Sequence, residues 1–207
     1  MDERTLADVL RDLGDVSPDR VLWKPPPGRA TERHLLRSRQ CELVDGMLVR
    51  KVPHTVKGIL QAFVGSRLTT HVGRRLAGTM GGGPYRLAPG LVRLPDVGLM
   101  TWDRLRDAGG EIPDIAPVGP DLAVEIIVPG LAPAELDRKR REFFAGGCRL
   151  WWELDFFGGR TAVVYTRPDV AVQIAPDDDL DGGDVVPGFR LPLAEAFGVL
   201  DPPRRSG

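Results

Sequence analysis

The chain has 207 residues, of which 42% are hydrophobic, enough for one compact domain with a sizeable core. Its 28 Lys and Arg residues nearly balance its 29 Asp and Glu residues. The formal net charge of −1 excludes a globally basic surface of the kind that binds nucleic acid non-specifically. Any site for a polyanion must therefore be local. The one basic run is 138–141, and half of it should be a solvated helix face.

Cysteine content and hydropathy set the expected compartment. Cys41 and Cys148 lie far apart and have no partners at metal-ligand spacing, which is typical of reduced thiols. We find no signal-peptide pattern and no apolar run near the length of a membrane span. The sequence therefore predicts a soluble, cytoplasmic protein without a membrane partner.

The N-terminal residues predict a segment separate from the main domain. Residues 6–13 have the pattern of a short amphipathic helix, and 23–28 are a proline-rich connector that cannot be helical. We place this segment at 1–37, the main domain at 38–200 and a flexible tail at 201–207. Whether the first segment packs on the core or mediates self-association stays open.

Residues 41–52 predict a β-hairpin. Asp45-Gly46 is the two-residue turn signal between its strands. Glu42 lies on the first strand, and from the residues alone its simplest role is a cross-strand pair with Arg50 or Lys51.

A helix should follow from His54 to about residue 74. Apolar residues recur on one face of that helix, and we expect them to be buried: Val56, Ile59, Leu60, Phe63 and Leu68. His54 stands at its start, where a lone histidine is more often a local hydrogen-bonding group than part of a site.

The stretch from Leu91 to Met100 predicts a β-strand that carries one carboxylate, Asp96. Because side chains alternate between the two faces of a strand, Asp96 shares its face with apolar residues. Those residues are Val92, Leu94 and Met100.

A second strand, from Leu122 to Val128, is a near-continuous apolar run of the kind that helices cover on both faces. Glu125 lies in its middle. Burying an ionised carboxylate costs several kcal/mol unless a cation or a metal pairs with it. Two such carboxylates on nearby strands indicate a specific role.

The following helix, predicted from Pro133 to Gly146, brings a cation to the same region. Its apolar positions are Leu136, Phe143 and Phe144. In that register Lys139 and Arg140 lie on the face that meets the sheet.

Asp96, Glu125 and Lys139 form the residue set that a metal-dependent phosphodiesterase needs. The carboxylates would hold one or two hard divalent cations, and the lysine would position the nucleophile or neutralise charge in the transition state. The alternative is a pair of buried ion pairs that only fasten the helix to the sheet. Spacing alone leaves both interpretations open.

The remaining residues predict a hairpin over 149–154 and 161–166, a further strand over 170–174 and an exposed acidic turn over 177–184. Trp152 should be a core residue. Trp151 faces the other way, where it packs under a helix or stacks a nucleic-acid base. The order of elements indicates an α/β fold with a mixed sheet.

Several of these segments, in order and spacing, resemble the Uma-type family of restriction endonucleases within the PD-(D/E)xK nuclease superfamily. The central motifs are Pro95-Asp96, Val124-Glu125-Ile126-Ile127, Lys139 with Phe143, and Gly147 followed by Trp151-Trp152-Glu153-Leu154-Asp155. Flanking segments are also similar, namely Glu42-Leu43-Val44-Asp45-Gly46, Pro53-His54 and the closing stretch 187–193. The resemblance covers about residues 38 to 198.

This resemblance implies a restriction-endonuclease-like core, a mixed β-sheet flanked by helices, with DNA as substrate and a homodimer as the common assembly. It implies Mg²⁺ or Mn²⁺ bound by Asp96 and Glu125 with help from the Ile126 carbonyl. Lys139 becomes the catalytic cation, and Glu42 and His54 become accessory groups.

One departure concerns the lysine. In the superfamily it normally lies two residues after the glutamate, and that position is Ile127 here. The resemblance implies that the lysine has moved to the helix as Lys139, in agreement with the helical stripe.

Three functions follow as hypotheses. The first is a metal-dependent endonuclease. The second is a nuclease fold that no longer cleaves and serves as a binding or assembly module, which the lack of overall basicity and of an in-strand lysine favours. The third is a metal hydrolase for small phosphate esters, for which a closed pocket would be expected.

Overall fold

The structure is a computed structural model that describes residues 5–109 and 113–201, with the backbone alone for 74–81. The predicted tail lies outside the described residues, except for Asp201. The helices are α1 Leu6–Asp12, α2 Glu32–Leu35, α3 Thr55–Leu76, α4 Trp102–Asp107, α5 Pro133–Ala145 and α6 Leu193–Gly198. None of the helices in the described ranges is long and apolar enough to span a bilayer.

The described residues form the predicted strands and several that were not predicted. They are β1 Val21–Leu22, β2 Cys41–Val44, β3 Met47–Arg50, β4 Ala77–Gly81, β5 Tyr85–Ala88, β6 Leu91–Arg93, β7 Val97–Thr101, β8 Leu122–Ile127, β9 Leu150–Asp155, β10 Thr161–Arg167, β11 Val170–Ile174, β12 Asp179–Asp181 and β13 Arg190–Pro192. The acidic stretch predicted to be only a turn contains β12, because Leu180 is buried and β12 pairs with β13.

Two sheets carry the site. The first has the order β1-β3-β2-β6-β5, and the second has the order β11-β10-β9-β8-β7-β4. Strands β8 and β9 are parallel and are joined by α5, whereas the other pairs of the second sheet are antiparallel. The predicted mixed α/β sheet is therefore confirmed.

Helices cover both faces of the second sheet, as the apolar run of β8 predicted. Side chains of alternate residues on β8 and β9 pack on one face with α3 and α6: Val124, Ile126, Trp152, Leu60, Leu68 and Phe197. On the opposite face Leu136 and Phe143 of α5 pack with Ala123 of β8 and Trp151 of β9. Glu125 belongs to this second set by alternation, so it faces α5.

The predicted strand from Leu91 to Met100 is two strands that belong to different sheets. Strand β6 pairs with β2 and β5 in the first sheet, whereas β7 pairs with β4 and β8 in the second. The intervening residues, 94–96, are not in a strand. Pro95 cannot donate to a ladder, which favours a break there. Asp96 therefore lies where the chain crosses between sheets.

The predicted hairpin turn is confirmed at Asp45-Gly46. Both residues have positive φ, 50° and 68°, as a type I′ turn requires. A Cβ on Gly46 would lie 2.6 Å from the Gly28 carbonyl carbon, so only glycine fits this close approach.

The N-terminal segment packs on the first sheet. Leu13 and Val21 are buried with Val44. The Arg20 guanidinium donates to both carboxylate oxygens of Glu135 in α5, at 2.6 and 2.7 Å, and to the carbonyl of Arg50 at 2.8 Å. This one side chain thus links the start of α5 to the end of β3. The division at residue 37 stays a prediction.

Candidate active site

Three buried carboxylates meet where the two sheets separate. Glu42 comes from β2, Asp96 from the link between β6 and β7, and Glu125 from the middle of β8. Each is at most 2% exposed. The Asp96 Oδ2 accepts from the Ile126 backbone N–H at 2.8 Å, which fixes Asp96 beside the Glu125 strand. Buried carboxylates need cations or donors around them.

Lys139 joins two of these carboxylates. Its Nζ lies 2.8 Å from Glu125 Oε2 and 2.8 Å from Glu42 Oε1, and it donates to the Leu94 carbonyl at 2.8 Å. The inward stripe of α5 therefore delivers Lys139 as predicted. The structure brings Glu42, Asp96, Glu125 and Lys139 into one cluster.

Among the described residues Glu42 forms no direct ion pair with Arg50 or Lys51, which was the cross-strand interpretation made from the residues alone. Its register partner on β3 is Val49. Its carboxylate instead accepts from Arg93 Nη1 at 2.8 Å and from the Leu94 N–H at 2.9 Å. Glu42 therefore connects the first sheet to Lys139.

Two lysines that the sequence analysis did not assign to the site complete the cluster. Lys51 Nζ lies 2.6 Å from Asp96 Oδ1 and 3.4 Å from Glu125 Oε1. Lys57 Nζ lies 3.0 Å from Asp96 Oδ2 and 3.3 Å from Glu125 Oε1. Both ammonium groups thus bridge the same two carboxylates.

Two signals in the sequence could have identified them. Lys57 lies on the same helical stripe of α3 as the buried residues Leu60, Val64 and Leu68. Ile59, which was predicted to be buried, is instead 42% exposed. The second signal is composition. Of the 28 Lys and Arg residues only four are lysines. Three of these four, Lys51, Lys57 and Lys139, lie in the cluster, and Lys24 is exposed.

The cluster keeps Glu42 and Glu125 ionised. Burial raises the pKa of the Glu42 carboxyl, but Lys139, Arg93 and Lys51 outweigh it and hold that pKa at about 2, against an ordinary 4.5. Burial likewise raises the pKa of the Glu125 carboxyl, but the lysines around it outweigh burial, so that pKa is lowered. The pKa of Lys51 is raised because three carboxylates outweigh its burial.

These shifts predict a loss of stability in acid. Because the folded pKa of Glu42 lies below its unfolded value, its contribution to stability is complete above about pH 5 and disappears as the pH falls to about 2. We expect the free energy of unfolding to fall across that window, and by roughly 3 kcal/mol less in Glu42→Gln than in the wild type. Urea unfolding at a series of pH values measures this. Glu195→Gln, which changes an exposed carboxylate, should leave the pH dependence intact.

His54 lies at the mouth of the site and does not contact the carboxylates within the described residues. Its Nδ1 accepts from the Val56 N–H at 3.2 Å, and its ring meets that of Phe157 edge-on at 5.2 Å. It lines a cleft of about 210 Å³ together with Lys51, Lys57 and Asp96. Asp96, Lys51 and Lys57 are therefore the members of the cluster that border this cleft.

Trp151 is fully buried, and its ring packs on Phe143 at 5.1 Å between centroids. Its Nε1–H donates to Glu153 at 2.9 Å. The interpretation of Trp151 as packing under a helix is confirmed, and base stacking by this residue is wrong.

The donor chemistry of Asp96 and Glu125 fits a hard divalent cation. Each bridging ammonium lies within 3.4 Å of an oxygen from both carboxylates, so the two carboxylates face a common position. Among the described residues, however, no group of three or more His, Cys, Asp or Glu side chains is arranged to hold a metal. A shell of two carboxylates completed by water is the kind that Mg²⁺ uses.

The chain is similar to known proteins both in sequence and in fold. The family model described as "Uma2: Putative restriction endonuclease" matches residues 30–194. The crystal structure of a "putative nuclease belonging to DUF820" from Anabaena variabilis matches with a TM-score of 0.69 at 19% sequence identity. That match covers 82% of this chain and 98% of the other, and it shows that the two share a fold. No curated protein matches the chain significantly.

Proposed function

We propose that this chain, which belongs to the Uma2 family, is an endonuclease that hydrolyses DNA phosphodiester bonds with a bound Mg²⁺ or Mn²⁺ ion. The observation that carries the proposal is the convergence of Asp96, Glu125 and Lys139 in one buried cluster, of which Asp96 borders a cleft. The residues come from three separate parts of the chain, and the family model is described as a "putative restriction endonuclease".

In this proposal Asp96 and Glu125 hold the cation. When bound, it supplies charge stabilisation for the phosphodiester and makes a bound water more acidic. Lys139 donates to Glu125 Oε2, which leaves Oε1 turned toward Asp96, where Lys51 and Lys57 contact it. Lys139 therefore orients Glu125 for cation binding as well as contributing positive charge.

Glu42 and His54 take supporting roles. Glu42 accepts from Lys139 and Arg93, so it holds the catalytic lysine against the sheet. His54 lines the cleft and in this proposal orients water or a phosphate oxygen that enters the site. The Ile126 carbonyl as a further ligand stays a prediction.

A second candidate function is a nuclease fold that binds without cleaving. The observation that favours it is the pairing of both metal-binding carboxylates with Lys51 and Lys57, which satisfies their charge without a metal. The two candidates differ in one measurable property, cleavage that depends on a divalent ion.

Cleavage of supercoiled plasmid DNA tests the proposal. We expect nicked and linear products with Mg²⁺ or Mn²⁺, and none with excess chelator, because the carboxylates alone cannot activate water. The same assay on single-stranded RNA measures the preference for DNA. Cleavage that persists with chelator contradicts metal dependence, and stable DNA binding without cleavage in either metal supports the binding module.

A further inference from the structure

The charges around Asp96 and Glu125 are balanced before any metal binds. The three carboxylates of the cluster contact four cationic side chains, and a fourth carboxylate, that of Glu142, pairs with Arg93 at 2.6 Å, so four negative charges face four positive ones. The cations are Lys51, Lys57, Lys139 and Arg93. A divalent ion added to this buried set would create a large excess of positive charge at low dielectric. Binding it between Asp96 and Glu125 therefore requires that one ammonium group leave.

The contacts identify which ammonium is held least firmly. Lys51 and Lys139 both donate to the Leu94 carbonyl, at 2.6 and 2.8 Å, in addition to their carboxylate partners. Lys57 contacts only Asp96 and Glu125 among the described residues, at 3.0 and 3.3 Å. Those are longer than the best carboxylate contacts of Lys51 and Lys139.

The cleft also offers space into which the Lys57 side chain can move. Lys57 lies in the first turn of α3 and lines the cleft beside His54 and Gln61. Its long side chain can turn from the carboxylates into the cleft by rotation about its own bonds, with the helix unmoved. Lys139 has no comparable route, because it is 1% exposed on the face of α5 that meets the sheet and does not line the cleft.

Resting on the proposed function, we propose that Lys57 occupies the cation position in the metal-free protein and that a divalent ion displaces it into the cleft. A compact ammonium group is suited to this exchange, whereas a planar guanidinium is not. Metal binding then places a new positive charge in the path of an incoming polyanion. Lys57 is thus a positioning residue that couples occupancy of the metal site to the charge of the cleft.

Amine labelling of the wild-type protein tests the displacement directly, since only four lysines are present. Acetylation is followed by mass spectrometry with and without saturating Mn²⁺. We expect Mn²⁺ to speed labelling of Lys57 several-fold, to leave Lys51 and Lys139 slow, and to leave exposed Lys24 fast throughout. Lys57 that stays protected at saturating Mn²⁺ overturns the inference.

Calorimetric titration with Mn²⁺ gives an independent readout. Lys57→Met removes the competing charge and should bind Mn²⁺ at least about fivefold more tightly than the wild type, the lower end of typical coupling between ligands. Lys57→Arg retains the charge and Lys24→Met changes an exposed site, so neither should gain this affinity.

The outcomes separate the two proposals. Mn²⁺ binding that is equal or weaker in Lys57→Met overturns the displacement while leaving the metal site intact. Absence of binding in both the wild type and Lys57→Met overturns the inference together with the proposed metal-dependent function.

Discussion

Glu125→Gln is expected to lower plasmid cleavage by at least about 10²–10³-fold, the loss typical of removing one preorganised electrostatic group from an active site. The amide retains the shape of the side chain but removes the charge that both the metal and Lys139 require. Mn²⁺ binding measured by calorimetry should disappear with it. The variant should also be less stable, because three lysines lose their common partner.

Glu153→Gln is the matched control for that variant. Glu153 is the register neighbour of Glu125 on β9, is equally part of the sheet interior, and pairs with Arg140 at 2.8 Å outside the cluster. It should lose stability while retaining Mn²⁺ binding and cleavage. Equal losses of activity in both variants would show that any buried charge change disables the protein, which contradicts a specific role for Glu125.

Lys139→Met is expected to lower the free energy of unfolding by about 3–5 kcal/mol, the range for removing one partner of a buried ion pair. Methionine fills much of the same volume but leaves Glu42 and Glu125 without their shared cation at 2.8 Å. Urea unfolding followed by circular dichroism measures the change. Cleavage should fall as well, because Glu125 loses the donor that orients it.

Two further variants show whether the charge causes this loss. Lys24→Met removes an exposed lysine and should change stability by less than about 1 kcal/mol. Glu42→Gln combined with Lys139→Met removes both members of one pair, so part of the lost stability should return. A loss below about 1 kcal/mol in the single Lys139 variant would mean that the buried pair contributes no more than exposed pairs do.

The candidate site was predictable where local periodicity decides the direction of a side chain. Alternation along a strand places Glu125 toward α5, and the 3.6-residue period places Lys139 on the inward face of that helix. These two side-chain directions depend on only a few neighbouring residues, so they can be predicted without knowledge of the fold. The same alternation assigned Trp152 to the core, where it is fully buried.

Other features depended on which strands become neighbours. Glu42 was expected to pair across its hairpin, but β2 also pairs with β6, and that neighbour supplies Arg93. The continuous strand expected around Asp96 is divided between two sheets, since Pro95 interrupts the ladder. Local patterns cannot show either, because strand order is set by contacts between distant residues.

By itself, the amino-acid sequence determined the mixed α/β class, the elements that carry Glu125 and Lys139, and the resemblance that the family match confirms. Each rests on short-range periodicity or on ordered motifs. Only the tertiary structure decided that Lys51 and Lys57 share the carboxylates of Asp96 and Glu125. Tertiary packing determines this arrangement. The end of β3, the start of α3 and the region between the sheets become neighbours only when the core packs.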